Sequence, residues 1–437
     1  MRDQEPAPGG PQRRLSTRET AELLGVKPET VYAYVSRGQL TSRREPGGRG
    51  STFDEAEVTA LARRNRRESQ AGPVYGGELS VRTRITLIDE DHYYFRGVDA
   101  VELAAHHSYE EVAEWLWTER LSPEVTFTAP EATVAVARRA VTALPEHAAP
   151  TDQLRVAAIA AATEDPLRFD LSEEAVLATA RVLIPTLVAA LPLRPYGRDE
   201  GPLAQRLWGR LTSHDPDEAS LRALDTALAL LVDHDLAAST LAVRVAASAR
   251  AHVYAAVSAG LGVIEGPLHG AASGLAHRLL LDVLDEGNAG PVVAAELRAG
   301  RRIPGLGHRL YPGEDPRARA LFTLLERIPR AEPALLAAQD IVATAARHTS
   351  LHANVDLALA VLTASCGMPA TAGETVFAVA RTAGWIAHAL EEYGERPMRM
   401  RPSGHYVGPR PPQPLPEQHG EGEPEVPPGK VRLGSPL

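Results

Sequence analysis

The chain has 437 residues, 44% hydrophobic and 23% charged, with a formal net charge of −10. That is ordinary soluble composition and enough chain for two or three domains. One cysteine, Cys366, excludes an internal disulfide and a cysteine-built zinc site, and 5% aromatics leave an aliphatic core that favours helix.

Residues 1–12 are Pro/Gly-rich and expected to be disordered. Ser16-Thr17-Arg18-Glu19 spells a capping box, followed by an apolar face at Ala21, Leu23 and Leu24 and a stop at Gly25. Pro28 suits the first turn of a second helix through Val31, Tyr34 and Val35, ended by Gly38. Gln39-Leu40-Thr41 and Ser51-Thr52-Phe53 flank the turn Glu45-Pro46-Gly47-Gly48, which predicts a hairpin, with a last helix from Asp54 to about Arg67. Residues 13–68 thus form one small domain, and the arginines after it read as a linker. A β-like segment, Arg84 to Ile88, precedes a turn at Asp89-Glu90-Asp91. Beyond residue 100 apolar spacing at three and four predicts helix almost throughout. Residues 411–437 are a Pro-rich tail, expected to be disordered. The chain opens without an apolar leader, and the apolar run Val176 to Leu193 is broken by Arg181, Pro185 and Pro192. The expectation is a cytoplasmic protein with no membrane partner.

The front domain has the pattern of a winged helix-turn-helix, whose second helix enters the DNA major groove. Lys27, Thr30, Tyr32 and Arg37 are its candidate groove residues; Arg43, Arg44 and Arg49 on the wing suit phosphate contact. Residues 1–72 hold 13 Lys and Arg against 10 Asp and Glu, a basic front on an acidic body. The segment of about residues 14–65 resembles the MerR/excisionase type of helix-turn-helix, most plainly in the stretch from Leu15 to Leu40. Duplex DNA is therefore an expected partner, with a protein-contact module as the alternative.

The chemistry-bearing residues lie further on. His269 (Gly266-Pro267-Leu268-His269-Gly270) and His308 (Gly305-Leu306-Gly307-His308-Arg309) sit in glycine-lined loops; His234 lies in Asp233-His234-Asp235. Asp356 follows Asn354-Val355 at a helix break. Arg381 sits inside an apolar helix, where an unpaired guanidinium is costly and calls for an anion. With Arg317 and Arg401, it suits a substrate bearing two or more carboxylates. These residues together describe an anion-binding cleft with imidazoles and one carboxylate. His348 and His352, four apart on a predicted helix, lack a third ligand, so no metal is expected.

These motifs carry a resemblance. With Tyr94-Phe95-Arg96-Gly97-Val98-Asp99, Asp315-Pro316-Arg317-Ala318 and Arg381-Thr382-Ala383-Gly384-Trp385 they occur in the order found in citrate synthases, and residues 73–410 resemble that family. The resemblance implies a mainly all-α protein with large and small helical domains, the small one roughly residues 273–360. It implies a homodimer, and condensation of acetyl-CoA with oxaloacetate in the tricarboxylic acid cycle, followed by thioester hydrolysis, with no cofactor beyond the acyl-CoA substrate. Asp356 matches the general base, His269 the donor to the thioester oxygen, and His308 the residue that polarises the oxaloacetate carbonyl. His234, Arg317 and Arg381 match oxaloacetate ligands, and Arg401 an arginine that reaches the neighbouring subunit's site. Ala237, Ala271, Ser273, Pro312 and Ala353 depart from the usual family residues. The alternatives are 2-methylcitrate synthase, a citryl-CoA lyase-like activity, or a DNA-binding regulator whose body senses metabolites.

Overall fold

A computed structural model describes residues 14–24, 31, 34–35, 40–44, 51–55, 57–59, 61, 81–266, 270, 272–311, 313–400 and 407–410. They fall into two compact units that divide between Thr83 and Arg84.

In the first unit β1 (Arg14–Ser16), α1 (Thr17–Leu24), β2 (Ser42–Arg44) and β3 (Ser51–Asp54) build a three-stranded antiparallel sheet of order β1-β3-β2 with one helix beside it. The predicted hairpin is present as β2 and β3, with Arg43 opposite Thr52. The strand β1, which local pattern did not signal, pairs Leu15 with Phe53. The capping box forms: Glu19 accepts from the Ser16 backbone N–H at 2.8 Å, and Ser16 Oγ accepts from the Glu19 backbone N–H at 3.3 Å. Leu15, Ala21, Val31, Leu40, Phe53, Val58 and Leu61 form a small core. Leu23, expected on the apolar face, is 39% exposed. It stands about 200° around the helix from Ala21, on the opposite side. Asp54 ends β3 and caps the helix that starts at Glu55, its Oδ1 accepting from the Glu57 N–H at 3.2 Å.

The second unit opens with a meander of β4 (Thr86–Asp89), β5 (His92–Phe95) and β6 (Val98–Asp99). The strand predicted from Arg84 starts two residues later. Helices follow: α2 (Ala100–His106), α3 (Tyr109–Thr118), α4 (Glu131–Thr142), α5 (Pro150–Thr163), α6 (Glu173–Ala190), α7 (Leu203–Leu211), α8 (Glu218–Leu231), α9 (Ala238–Ser248), α10 (Val253–Ile264), α11 (Ala272–Glu286), α12 (Ala289–Arg298), α13 (Pro316–Leu325), α14 (Glu332–Ala345), α15 (Val355–Ser365) and α16 (Ala372–Tyr393). Their starts are written in side chains. Ser108 and Glu111 close a capping box on α3, Asp315 caps α13 with Pro316 in its first turn, and Asn354 caps α15.

Helix α16 is the axis of this unit. It is apolar nearly all round, as a helix enclosed by others must be, and packs on α3, α6, α8, α9, α10 and α11. Trp117 Nε1 donates to the Ala383 carbonyl at 2.9 Å and Tyr109 Oη to the Val379 carbonyl at 3.1 Å, which fixes its rotation. Helices α11 to α15 pack among themselves and meet the rest mainly through α8 and α16, with a smaller contact from α13 to α2. Among the described residues no helix is long and apolar enough to cross a membrane.

Candidate active site

Two loops are laced together by backbone bonds. Gly307 N–H donates to the His352 carbonyl at 2.7 Å and Asn354 N–H to the Gly305 carbonyl at 2.9 Å. Asn354 Nδ2 donates to the Gly307 carbonyl at 2.8 Å. Gly305 and Gly307 have φ of +83° and +78°, which favours glycine, and a Cβ at Gly305 stands only 2.9 Å from that of Leu357. The lacing brings His308, on the first loop, to the segment that presents Asp356.

His308 Nδ1 accepts from the Leu310 backbone N–H at 3.1 Å, so the ring proton sits on Nε2 as a donor. Burial, helped by the Arg317 charge, pulls its pKa down to about 4. The ring is therefore neutral across the physiological range. Asp356, in the first turn of α15, is half-buried. Burial pushes its carboxyl up to about 6; nearby Asp315 adds to this and Arg317 opposes it. At neutral pH it is ionised, yet a stronger base than an ordinary aspartate.

Arg317, buried on α13, forks onto Asp315, with Nε to Oδ1 at 2.9 Å and an amino group to Oδ2 at 2.8 Å. The Val355 backbone N–H also donates to Asp315, at 3.0 Å, tying α13 to α15. Burial alone raises a carboxyl, but the Arg317 charge and these bonds hold Asp315 below the usual range. The Arg317 guanidinium carbon lies 5.6 Å from the Tyr311 ring centre.

His234, between α8 and α9, is buried, and its Nε2 shares a 2.7 Å hydrogen bond with Tyr311 Oη. Its ring meets that of His308 edge-on at 5.1 Å and that of Tyr93 at 5.9 Å. Burial first, then the Arg317 and Arg381 charges, hold its pKa well below the ordinary value. Arg381 on α16 donates from Nε to the Leu231 carbonyl at 2.9 Å, and its guanidinium lies 4.6 Å from the Phe377 ring centre. One of its amino nitrogens has no hydrogen-bond partner among the described residues.

The structure thus brings His234, His308, Arg317, Asp356 and Arg381 into one cluster. His269 and Arg401 lie outside the described residues, as do Lys27, Thr30, Tyr32, Arg37 and Arg49. Arg43 is exposed on β2, and Arg44 is its last residue. Two partners were missed from sequence: Tyr311, hidden inside the His308 motif, and Asp315, whose Asp-Pro start reads as a helix cap and nothing more. The helical spacing assumed for His348 and His352 is corrected. Helix α14 ends at Ala345, and both histidines lie in the connection after it.

The surroundings hold two cations, two neutral imidazoles, one of them presenting an Nε2–H donor, and one carboxylate with a raised pKa. That is machinery for gripping a small polycarboxylate and moving a weakly acidic proton. A model of the citrate synthase C-terminal domain matches residues 75–403, so the chain belongs to the citrate synthase family. A helix-turn-helix domain model matches residues 14–66. Citrate synthase 2 of Bacillus subtilis is 28% identical over 358 residues, covering 76% of this chain and 95% of that protein. A 2-methylcitrate synthase of Mycobacterium tuberculosis is 26% identical over 331 residues, covering 72% of this chain and 84% of that protein. The crystal structure of citrate synthase from Pyrobaculum aerophilum superposes with a TM-score of 0.66 at 26% identity, covering 86% of this chain and 97% of that one.

Proposed function

We propose that this chain condenses acetyl-CoA with oxaloacetate and hydrolyses the resulting thioester to citrate and free CoA. The observation that carries this reading is a carboxylate of raised pKa beside a neutral histidine that presents Nε2–H, within a cluster of two buried arginines. Asp356 takes a proton from the acetyl methyl group. His269 donates to the thioester oxygen, so that the charge left behind forms as an enol rather than a bare enolate. The enol carbon attacks the oxaloacetate carbonyl carbon, and the proton held on His308 Nε2 goes to the carbonyl oxygen. Arg317, Arg381 and His234 hold the oxaloacetate carboxylates, with Arg401 from the partner subunit of a homodimer. Water then attacks the thioester, and the CoA thiol leaves with the proton it gains. The steps are proton transfer, carbon–carbon bond formation and a hydrolysis in which the acyl C–O bond of the new acid forms as the C–S bond breaks, and they call on no cofactor beyond the acyl-CoA.

Release of free thiol from acetyl-CoA with oxaloacetate tests the reading. Turnover that requires both substrates supports it; no release from either acetyl-CoA or propionyl-CoA overturns it. The similarity to a 2-methylcitrate synthase favours a second reading, in which propionyl-CoA is the better substrate. The ratio of kcat/KM for the two thioesters decides between them. For the front domain we propose duplex DNA binding, supported by the helix-turn-helix match and by the exposed Arg43 on the hairpin. Phosphate contacts make such binding fall steeply with salt. A gel shift of genomic fragments by the full chain at low salt, lost in Arg43→Ala/Arg44→Ala/Arg49→Ala, supports it; no retardation at low salt overturns it.

A further inference from the structure

One side of helix α16 carries Arg381, His388 and Glu391–Glu392 with Gly384 between the first two, spaced three, four and three or four apart. This side lies along the chain that leaves α8. Arg381 Nε donates to the Leu231 carbonyl and the Gly384 N–H to the Val232 carbonyl, at 2.9 and 3.1 Å. One step further, His388 Nε2 stands 3.2 Å from Asp233 Oδ1. Asp233 Oδ2 accepts from Thr86 Oγ1 on β4 at 2.5 Å. Behind His388, an Arg244 amino group lies 2.8 Å from Nδ1 and 2.7 Å from Glu391. Arg244 also faces Glu392 at 3.3 Å, and Glu392 takes a bidentate grip from Arg399 at 2.8 and 2.6 Å. Asp233, His388, Arg244, Glu392 and Arg381 are all buried.

The direction of this chain is fixed by chemistry. A guanidinium only donates, so His388 Nδ1 accepts, and the His388 ring proton sits on Nε2 facing Asp233. The Asp233 carboxylate accepts from Thr86 on Oδ2, the His388 ring stands against Oδ1 at 3.2 Å without an aligned hydrogen bond, and Asp233 is not in hydrogen-bond contact with Arg381. Arg381 has one backbone acceptor and an amino nitrogen without a partner among the described residues.

We propose that Asp233 is a positioning residue for substrate binding: a counter-charge that keeps buried Arg381 cationic while Thr86 and His388 stop it from pairing with Arg381, leaving Arg381 N–H groups for a substrate carboxylate. The proposal rests on the reading of Arg381 as an oxaloacetate ligand. A direct ion pair makes the opposite use of an arginine, because the carboxylate of the protein then takes the donors that a substrate needs. The titration balance agrees. Burial pulls Arg381 down to about 10 even with Asp233 opposing it, and Arg317 adds to the pull. The other titratable groups facing Arg381 are Tyr93 on β5 and Tyr311 in the His308 loop.

The test is steady-state kinetics on the full chain with Asp233→Asn, which removes the charge, keeps one acceptor oxygen and replaces the other with an amide NH2. The expected result is a KM for oxaloacetate raised about tenfold or more, the scale of one partly buried charge contact. The KM for acetyl-CoA stays within about twofold of the parent, on the scale of a group that does not touch it. The rise steepens on the alkaline side, because Arg381 loses its proton at lower pH. Thr86→Val is the second variant: it frees one carboxylate oxygen to reach Arg381 and also raises the oxaloacetate KM. It serves if Asp233→Asn does not fold. Arg381→Gln separates the two readings. If Arg381→Gln leaves the oxaloacetate KM unchanged, Arg381 is not a ligand and the reading beneath the proposal fails. If Arg381→Gln raises it while Asp233→Asn and Thr86→Val do not, the proposal alone is overturned. Asp233→Asn placed on top of Arg381→Gln adds little further, since the charge it supplies has lost its object; full additivity also overturns the proposal.

Discussion

Two buried arginines share this site and are neutralised in different ways. Arg317 is clasped by Asp315 two residues away, both nitrogens of its fork spent, and the pair is further tied to α15 through Val355. Arg381 has no such clasp; the carboxylate that answers its charge, Asp233, is bonded to Thr86 and stands against the His388 ring. The first arrangement ties the loop in place with two of the three guanidinium nitrogens and leaves the third outside the fork. The second leaves donors unspent, which is costly without a ligand and useful with one. The sequence assigns both residues the same task, binding a substrate carboxylate. Their difference comes from where the carboxylates lie.

The largest effect expected is on the clasped side. Asp315→Asn leaves Arg317 buried beside a neutral group and weakens the tie to Val355, and costs about 3–5 kcal/mol of stability, the range for breaking one half of a buried pair. Denaturant unfolding measures it; a loss below about 1 kcal/mol would show that the clasp is not structural. Next comes the base. Asp356→Asn lowers turnover about 10²-fold or more, equivalent to about 2.7 kcal/mol at 1.36 kcal/mol per tenfold. Its fold is not weakened. A carboxyl whose pKa is raised in the folded state is penalised on ionising, so stability is lost as pH rises through the interval from its unfolded value to about 6. The neutral asparagine escapes that penalty, and thermal unfolding at pH 8 no earlier than the parent checks it. Parent-like turnover in this variant removes Asp356 from the mechanism.

On the helix side, Gly384→Ala sharpens the comparison. A Cβ there stands 2.2 Å from the Val232 carbonyl oxygen and 2.9 Å from Asp233 Cβ. The chain that leaves α8 must move off α16, at about 1–3 kcal/mol. The oxaloacetate KM rises with it, because Asp233 and Arg381 shift together; a stability loss with an unchanged KM would separate packing from binding. The smallest effect is pH. Ionised Asp356 is the working form, so activity is present above about 6 and lost as pH falls through that value. Between pH 7 and pH 5 kcat/KM falls about tenfold, the change in ionised fraction for one group. His308 stays neutral until about 4 and adds nothing to that limb. A flat profile from pH 7 to 5 would mean that Asp356 is not buried as described.

The parts of the site legible in sequence were those whose chemistry conflicts with their local setting. Arg381 stood out because an arginine in an apolar helix needs an anion. His308 stood out because glycines flank it. Asp315 and His388 did not, because each has an ordinary local explanation, a helix cap and a polar residue on a long helix. The helical spacing of His348 and His352 failed for the complementary reason. A four-residue interval fits any helix, and only the end of α14 shows that there is none there.

Local sequence fixes the capping boxes at Ser16 and Ser108, the hairpin β2–β3, the helical character beyond residue 100, and the loops that carry His234 and His308. The caps and the hairpin depend on interactions within a few residues, where the chain cannot choose its neighbours, and the glycines of the His308 loop only permit the conformation that the fold then fixes. Tertiary structure alone decides that β1 joins the front sheet and that Asn354 ties to Gly307, 47 residues away. It also decides that Asp233 meets His388 and Thr86 rather than Arg381. Those outcomes turn on which buried polar groups find partners when helices pack. Burial makes that choice costly to leave open, because a charge out of water is tolerated only where the rest of the fold answers it.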